Sequence, residues 1–169
     1  NFTLTEPAPL AISINTVSDV QCAGVADGSL DISASAGTAP YEYSVDGVNF
    51  FNSGSFTNLA ANTYTITVRD ANGCSNTASA TINEPTAISI TASVTADVTC
   101  NGGNDGAVNA LAIGGTGALT YTWNPGASVG AAYTNLPAGP YTVSVSDING
   151  CTETATVTVQ EPAPIQNTI

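Results

Sequence analysis

The chain has no lysine and no histidine. Its one basic residue, Arg69, faces 13 acidic residues, for a net charge of −12 over 169 residues. A surface so one-sided repels nucleic acid and anionic membranes, which excludes both as partners. Without histidine the commonest general base is missing, and without lysine no Lys–Asn isopeptide crosslink can form. Serine and threonine are abundant but have only carboxylates as candidate bases. The acids are scattered, many in turn motifs, and not paired as glycoside hydrolysis requires. We therefore nominate no catalytic residue and no cofactor site. No apolar run approaches the length of a membrane span, so no direct membrane insertion is expected, and no signal-peptide pattern opens the sequence. With only 8% charged residues, Thr, Ser, Asn and Gly must supply most of the solvated face.

What the chain has in place of these is repetition. Residues 136–151 read Leu-Pro-Ala-Gly-Pro-Tyr-Thr-Val-Ser-Val-Ser-Asp-Ile-Asn-Gly-Cys, and residues 59–74 read Leu-Ala-Ala-Asn-Thr-Tyr-Thr-Ile-Thr-Val-Arg-Asp-Ala-Asn-Gly-Cys. Tyr64 maps to Tyr141 and Asp70 to Asp147, an offset of 77. The cysteines obey the same rule, since 100 − 22 = 78 and 151 − 74 = 77. Cys22-Ala-Gly-Val-Ala-Asp27-Gly28 matches Cys100-Asn-Gly-Gly-Asn-Asp105-Gly106, Gly37-Thr38 matches Gly115-Thr116, and Val45 stands where Trp123 does. Such a register marks internal duplication.

Within 59–74 and 136–151 an apolar residue alternates with Thr, Ser or Arg, the period of a strand with one buried face. The Asp-x-Asn-Gly that follows is turn chemistry. Strands are predicted near 10–16, 28–35, 40–46, 48–51, 54–59, 63–69 and 76–82, with counterparts in the second copy. Asp46-Gly47 is a hairpin signal. Seven short strands in a repeat, without an amphipathic helix, predict an all-β chain of two tandem immunoglobulin-like Greek-key β-sandwiches. Tyr64 and Tyr141 fit either a tyrosine corner or an ordinary half-buried strand tyrosine. Glu-Pro at 6–7, 84–85 and 161–162 interrupts any ladder, because proline lacks an amide proton. We expect 1–5 to be the closing strand of a preceding repeat, 6–83 and 84–160 two whole sandwiches, and 161–169 the opening strand of a following one.

The succession Glu-Pro, Cys-x-Gly-x-x-Asp-Gly, Gly-Thr, Tyr-x-Tyr, Leu-x-Ala-Gly-x-Tyr-Thr-Val-x-Val-x-Asp-x-Asn-Gly-Cys and again Glu-Pro resembles the SprB-type repeat of very long Bacteroidetes cell-surface adhesins, including those of gliding motility. Asn62 in copy one and Ala118-Leu119 in copy two depart from that pattern. The resemblance implies export by the type IX pathway and an extracellular, filamentous surface protein.

The four cysteines are the one set that calls for chemistry. A zinc site wants closer spacing and here finds no histidine. Free thiols suit a cytosolic protein. Under the surface-protein resemblance, disulfides within each repeat are expected, Cys22–Cys74 and Cys100–Cys151. Closing a loop of that size contributes on the order of 4 kcal/mol in the chain-entropy model. One geometric difficulty stands. Strict up-and-down alternation of the intervening strands puts the two cysteines at opposite ends. The pairing requires Cys22 to lie part-way along the sandwich, or a short strand to be a loop.

The motifs at Asp27-Gly28, Asp70-Ala-Asn72-Gly73, Asn104-Asp105-Gly106 and Asp147-Ile-Asn149-Gly150 offer oxygen ligands. Calcium is the one ligand to weigh against turn formation. None of the motifs completes an EF-hand loop, and Asp and Asn are also the default turn residues, so no metal-binding residue is nominated and calcium stays an open alternative. The expected function is a structural spacer or stalk of an extracellular adhesin or filament. A glycan- or protein-binding module around Trp123, Tyr121 and Tyr133 is the alternative, as is a filament subunit assembled by strand addition of 1–5 and 163–169. Expected partners are neighbouring repeats of the array, other copies in a filament and an unknown surface or glycan ligand.

Overall fold

The computed structural model describes residues 8–126 and 128–167. Every regular element among them is a strand, and the chain divides into two compact units, Asn1–Glu84 and Pro85–Ile169. The closing strand expected over 1–5 lies outside the described residues.

In the first unit β1 (Ala11–Ser18), β2 (Gly28–Ser35) and β4 (Ser55–Leu59) form one sheet, in the order β1-β2-β4. The other sheet is β3-β5-β6, from β3 (Glu42–Ser44), β5 (Asn62–Arg69) and β6 (Ser75–Ile82). All ladders are antiparallel. The chain changes sheet after β2, β3 and β4, which is the Greek-key path of an immunoglobulin-like sandwich. Each strand turns its apolar positions inward. Leu30 and Ile32 from one sheet meet Ile66, Val68 and Ile82 from the other. Complete burial of one such side chain contributes about 1.5–3 kcal/mol.

The second unit repeats this plan. Its sheets are β7-β8-β11, from β7 (Ser89–Ala96), β8 (Gly106–Ile113) and β11 (Ala132–Leu136), and β10-β9-β12-β13. The latter comprises β9 (Thr120–Asn124), β10 (Ser128–Val129), β12 (Gly139–Ser146) and β13 (Thr152–Val159). The expected alternation holds along β12, where Tyr141, Val143 and Val145 are buried. Val143 lies opposite Trp123, which is fully buried and donates its indole N–H to the Gly130 carbonyl at 3.1 Å.

One expectation fails locally. The strand near 48–51 is reduced to a single bridge, Tyr43–Phe51. The Asp46 carboxylate collects the Val48 and Asn49 amides, each at 2.8 Å, and the Ser44 hydroxyl. Those bonds, led by the Asn49 amide and side chain, hold its pKa well below the usual carboxylate range. They curl the backbone where a hairpin ladder would have continued. Of the opening strand expected at 161–169, residues 161–167 are described, and by the repeat offset they precede or only touch the positions where β7 begins in the second unit.

Candidate functional site

The residues that recur between the copies gather at the two ends of each sandwich. At the leading end, beside the start of β1, the β5–β6 turn meets the β2–β3 loop. The Asp70 carboxylate accepts the Thr38 amide with one oxygen and the Asn72 and Cys74 amides with the other, each at 2.9 Å. Ala71 donates its amide to the Thr38 carbonyl at 2.9 Å. The second unit is built alike, with Asp147 accepting from Thr116 at 2.8 Å and from Asn149 and Cys151 at 2.9 Å. Gly37 is required by the approach itself. It takes a φ of +62°, and a Cβ there would stand 2.9 Å from the Asp70 carboxylate.

Asp70 and Asp147 are both buried, and both stay ionised readily. The Thr38 amide is the main cause at Asp70, outweighing desolvation. At Asp147 burial opposes ionisation most strongly, and the Thr116, Cys151, Asn149 and Gly150 amides together overcome it. Their pKa values are lowered in each case. Gly-Thr and Asp-x-Asn-Gly-Cys are thus two halves of one lock that joins the sheets.

At the trailing end the loop after β1 is clasped to the residues that follow β6. Gly24 donates its amide to Glu84 at 2.8 Å, Asn83 donates to Asp19 at 2.8 Å, and Val20 donates to the Asn83 carbonyl at 3.1 Å. In the second unit Gly102 donates to Glu161 at 2.7 Å and Gln160 to Asp97 at 2.8 Å. Asp105 accepts the Thr99 hydroxyl at 2.6 Å and the Thr99 amide at 3.0 Å, and both lower its pKa. The glutamate of Glu-Pro is therefore a loop clasp, a role its sequence neighbours do not suggest. Gly28 and Gly106 open the next strand where no side chain fits: a Cβ would stand 2.8 Å from Ile82 and 2.7 Å from Val159, respectively.

These two ends settle the cysteines. Cys74 immediately precedes β6 at the leading end, and Cys22 lies in the loop clasped to Glu84 beyond the end of β6. Eight strand residues hold them about 25 Å apart, whereas a disulfide needs Cα atoms within about 7 Å. Cys151 and Cys100 stand in the same relation across β13. Cys74 and Cys100 are free and exposed. The expected bonds Cys22–Cys74 and Cys100–Cys151 are therefore not formed. Strand alternation, the difficulty visible in the sequence, is the reason.

The aromatic platform is also corrected. Trp123 is core, and Tyr121 and Tyr133 pack against that core. The Tyr121 hydroxyl accepts the Ala112 amide at 3.1 Å. Tyr64 and Tyr141 form tyrosine corners, donating to the Ala60 and Pro137 carbonyls at 2.9 Å. Burial, with a contribution from Tyr133, raises the Tyr141 pKa. Sequence reading also missed a cluster in copy one. Arg69 pairs with Glu42 and lies 3.9 Å from the centre of the Phe50 ring.

Two immunoglobulin-like sandwiches whose repeated motifs lock loops define a class of tandem β-sandwich repeat domains. The SprB repeat family model matches the chain twice, at residues 14–50 and 89–128. Each match runs from the first strand through the clasp loop and the Gly-Thr motif. Among solved structures, the chain is similar to three N-terminal domains of the highly immunogenic outer capsid protein of bacteriophage RB49 (16% identity, TM-score 0.44). That match covers 90% of this chain and 59% of the phage structure. The N-terminal eight Ig domains of Down syndrome cell adhesion molecule match at 15% identity and TM-score 0.42, over 92% of this chain and 25% of that one. The fibronectin(III)-like modules of Clostridium thermocellum CbhA match at 14% identity and TM-score 0.35, over 89% and 94%. No curated protein matches the chain.

Proposed function

We propose that this chain is a non-enzymatic spacer segment of an extracellular adhesin or surface filament, serving attachment or gliding motility by adding length. One observation carries the reading. The side chains that recur between the copies (Asp70 and Asp147, Glu84 and Glu161, Tyr64 and Tyr141) are engaged in bonds within their own sandwich. A binding module would repeat an outward-facing set of groups. Here the outward-facing groups differ: exposed Leu111 and Ile113 stand where copy one has Ser33 and Ser35. The family resemblance supports a place on the cell surface.

The test has two arms. Antibodies raised against the 169-residue chain should label intact cells, and the purified chain should bind no member of a glycan and protein array. Saturable binding to one array member, abolished by a substitution at an exposed residue such as Phe51, would replace the spacer with a binding module.

A further inference from the structure

Each sandwich presents one cysteine at its leading end and one at its trailing end, and the length of β6 or β13 prevents either from closing its own pair. The arrangement occurs in both copies, so the cysteines fall into two complementary sets. Cys22 and Cys151 are not free thiols, which leaves one free member in each set. Cys74 belongs to the leading set and Cys100 to the trailing set, and both are free and exposed. Their surroundings differ in charge. The Cys100 loop is ringed by Asp97, Asp105 and Glu161. Beside Cys74 the carboxylate of Asp70 is buried under amide donors, and Arg69 on the adjoining strand end is neutralised by its pair with Glu42, so this end carries little net charge. Two Cys100 loops repel one another, whereas a Cys100 loop and a Cys74 turn do not.

We propose that Cys74 of one copy of this chain and Cys100 of a second copy form an intermolecular disulfide, linking repeats covalently end to end. The proposal deepens the spacer reading by naming the partner, another repeat of the same kind, and rests on that reading only for its oxidising setting. The oxidant is a small-molecule disulfide such as oxidised glutathione. The Cys74 thiolate attacks one of its sulfurs and releases one glutathione thiol. The Cys100 thiolate of the second chain then attacks the protein sulfur of the mixed disulfide and releases the other. Two protein thiols are oxidised, one glutathione disulfide is reduced, and the two protons end on the glutathione thiols.

The test uses equal amounts of 15N-labelled and unlabelled full chain in a glutathione redox buffer, followed by non-reducing electrophoresis and mass spectrometry of a non-reduced digest. Dimers and longer species that collapse on reduction are expected, with Cys74–Cys100 peptides half of which combine one labelled and one unlabelled partner. Cys74→Ser and Cys100→Ser should each reduce oligomers to background, and mixing the two variants should restore a dimer and nothing longer. Far-UV circular dichroism confirms that both variants remain folded. Three results would overturn the proposal: no crosslink, like-with-like dimers from either single variant at the wild-type yield, or Cys74–Cys100 peptides that never mix isotopes. None of these touches the spacer reading, which is judged by surface labelling and array binding.

Discussion

The Asp70 carboxylate accepts the amide of Thr38 at 2.9 Å, tying the turn of one sheet to a loop from the other. Thr38 lies 32 residues upstream, so the bond closes a long stretch of chain with one charge-assisted contact. The second unit makes the same closure between Asp147 and Thr116.

Because the pKa values of Asp70 and Asp147 are depressed by folding, the stability they contribute is complete above the unfolded-state value near 3.9. It is lost as pH falls through the lower folded-state values. Thermal unfolding followed from pH 7 to pH 2 should show this acid loss. Asp70→Asn should flatten it and lower Tm at pH 7 by about 5 °C or more. An unchanged acid limb would mean that the lock is not ionised in the folded state.

Removing the Tyr141 hydroxyl leaves the Pro137 carbonyl without its partner. Tyr141→Phe should cost about 1 kcal/mol, seen as a fall in Tm of about 4–8 °C. Tyr64→Phe should cost less, because Tyr64 is only half-buried and water can replace the lost donor.

Trp123→Val copies into the second unit the residue that the first carries at Val45. It should destabilise that unit by about 3 kcal/mol or more, from the cavity left where the fully buried indole stood. Urea unfolding followed by circular dichroism reads the loss. The wild-type indole should show the blue-shifted emission of a buried ring, which the exposed platform would not.

Gly106→Ala should destabilise by about 1–3 kcal/mol. The new methyl would meet Val159 and the Leu136 carbonyl, and backbone cannot yield as a flexible side chain would. A neutral outcome would show that β8 can shift away from β13.

Periodicity and duplication carried most of the fold. The inward faces of β5 and β12 and the 77-residue offset were readable because each rests on a local pattern written twice. The tyrosine corners stood as one of two open readings. What escaped was whatever depends on how strands are laid out in space. The separation of Cys22 from Cys74 is set by the length and direction of β6, and no spacing rule contains that. The Asp46 loop looked like a hairpin because Asp-Gly permits both, and the choice was made by the Ser44 hydroxyl and the Asn49 amide. Trp123 looked like a platform because a lone large aromatic has no periodic partner, and only its register with Val143 places it inside. Glu84 and Glu161 looked like linker residues, since their bonds reach back about 60 positions to Gly24 and Gly102.

In the first unit the opening and closing strands lie side by side and run the same way. Asn76 reaches the Leu10 carbonyl at one end, and Asp19 holds Asn83 at the other. The chain comes in at one end of the sandwich and goes out at the opposite one. Tension applied to its two termini is therefore directed along the strands, loading the ladders β1–β2 and β5–β6 in shear. Many backbone hydrogen bonds then have to break together, with no sequence of single bonds to open one after another. A unit pulled in this direction holds its length up to a threshold and then yields as a whole.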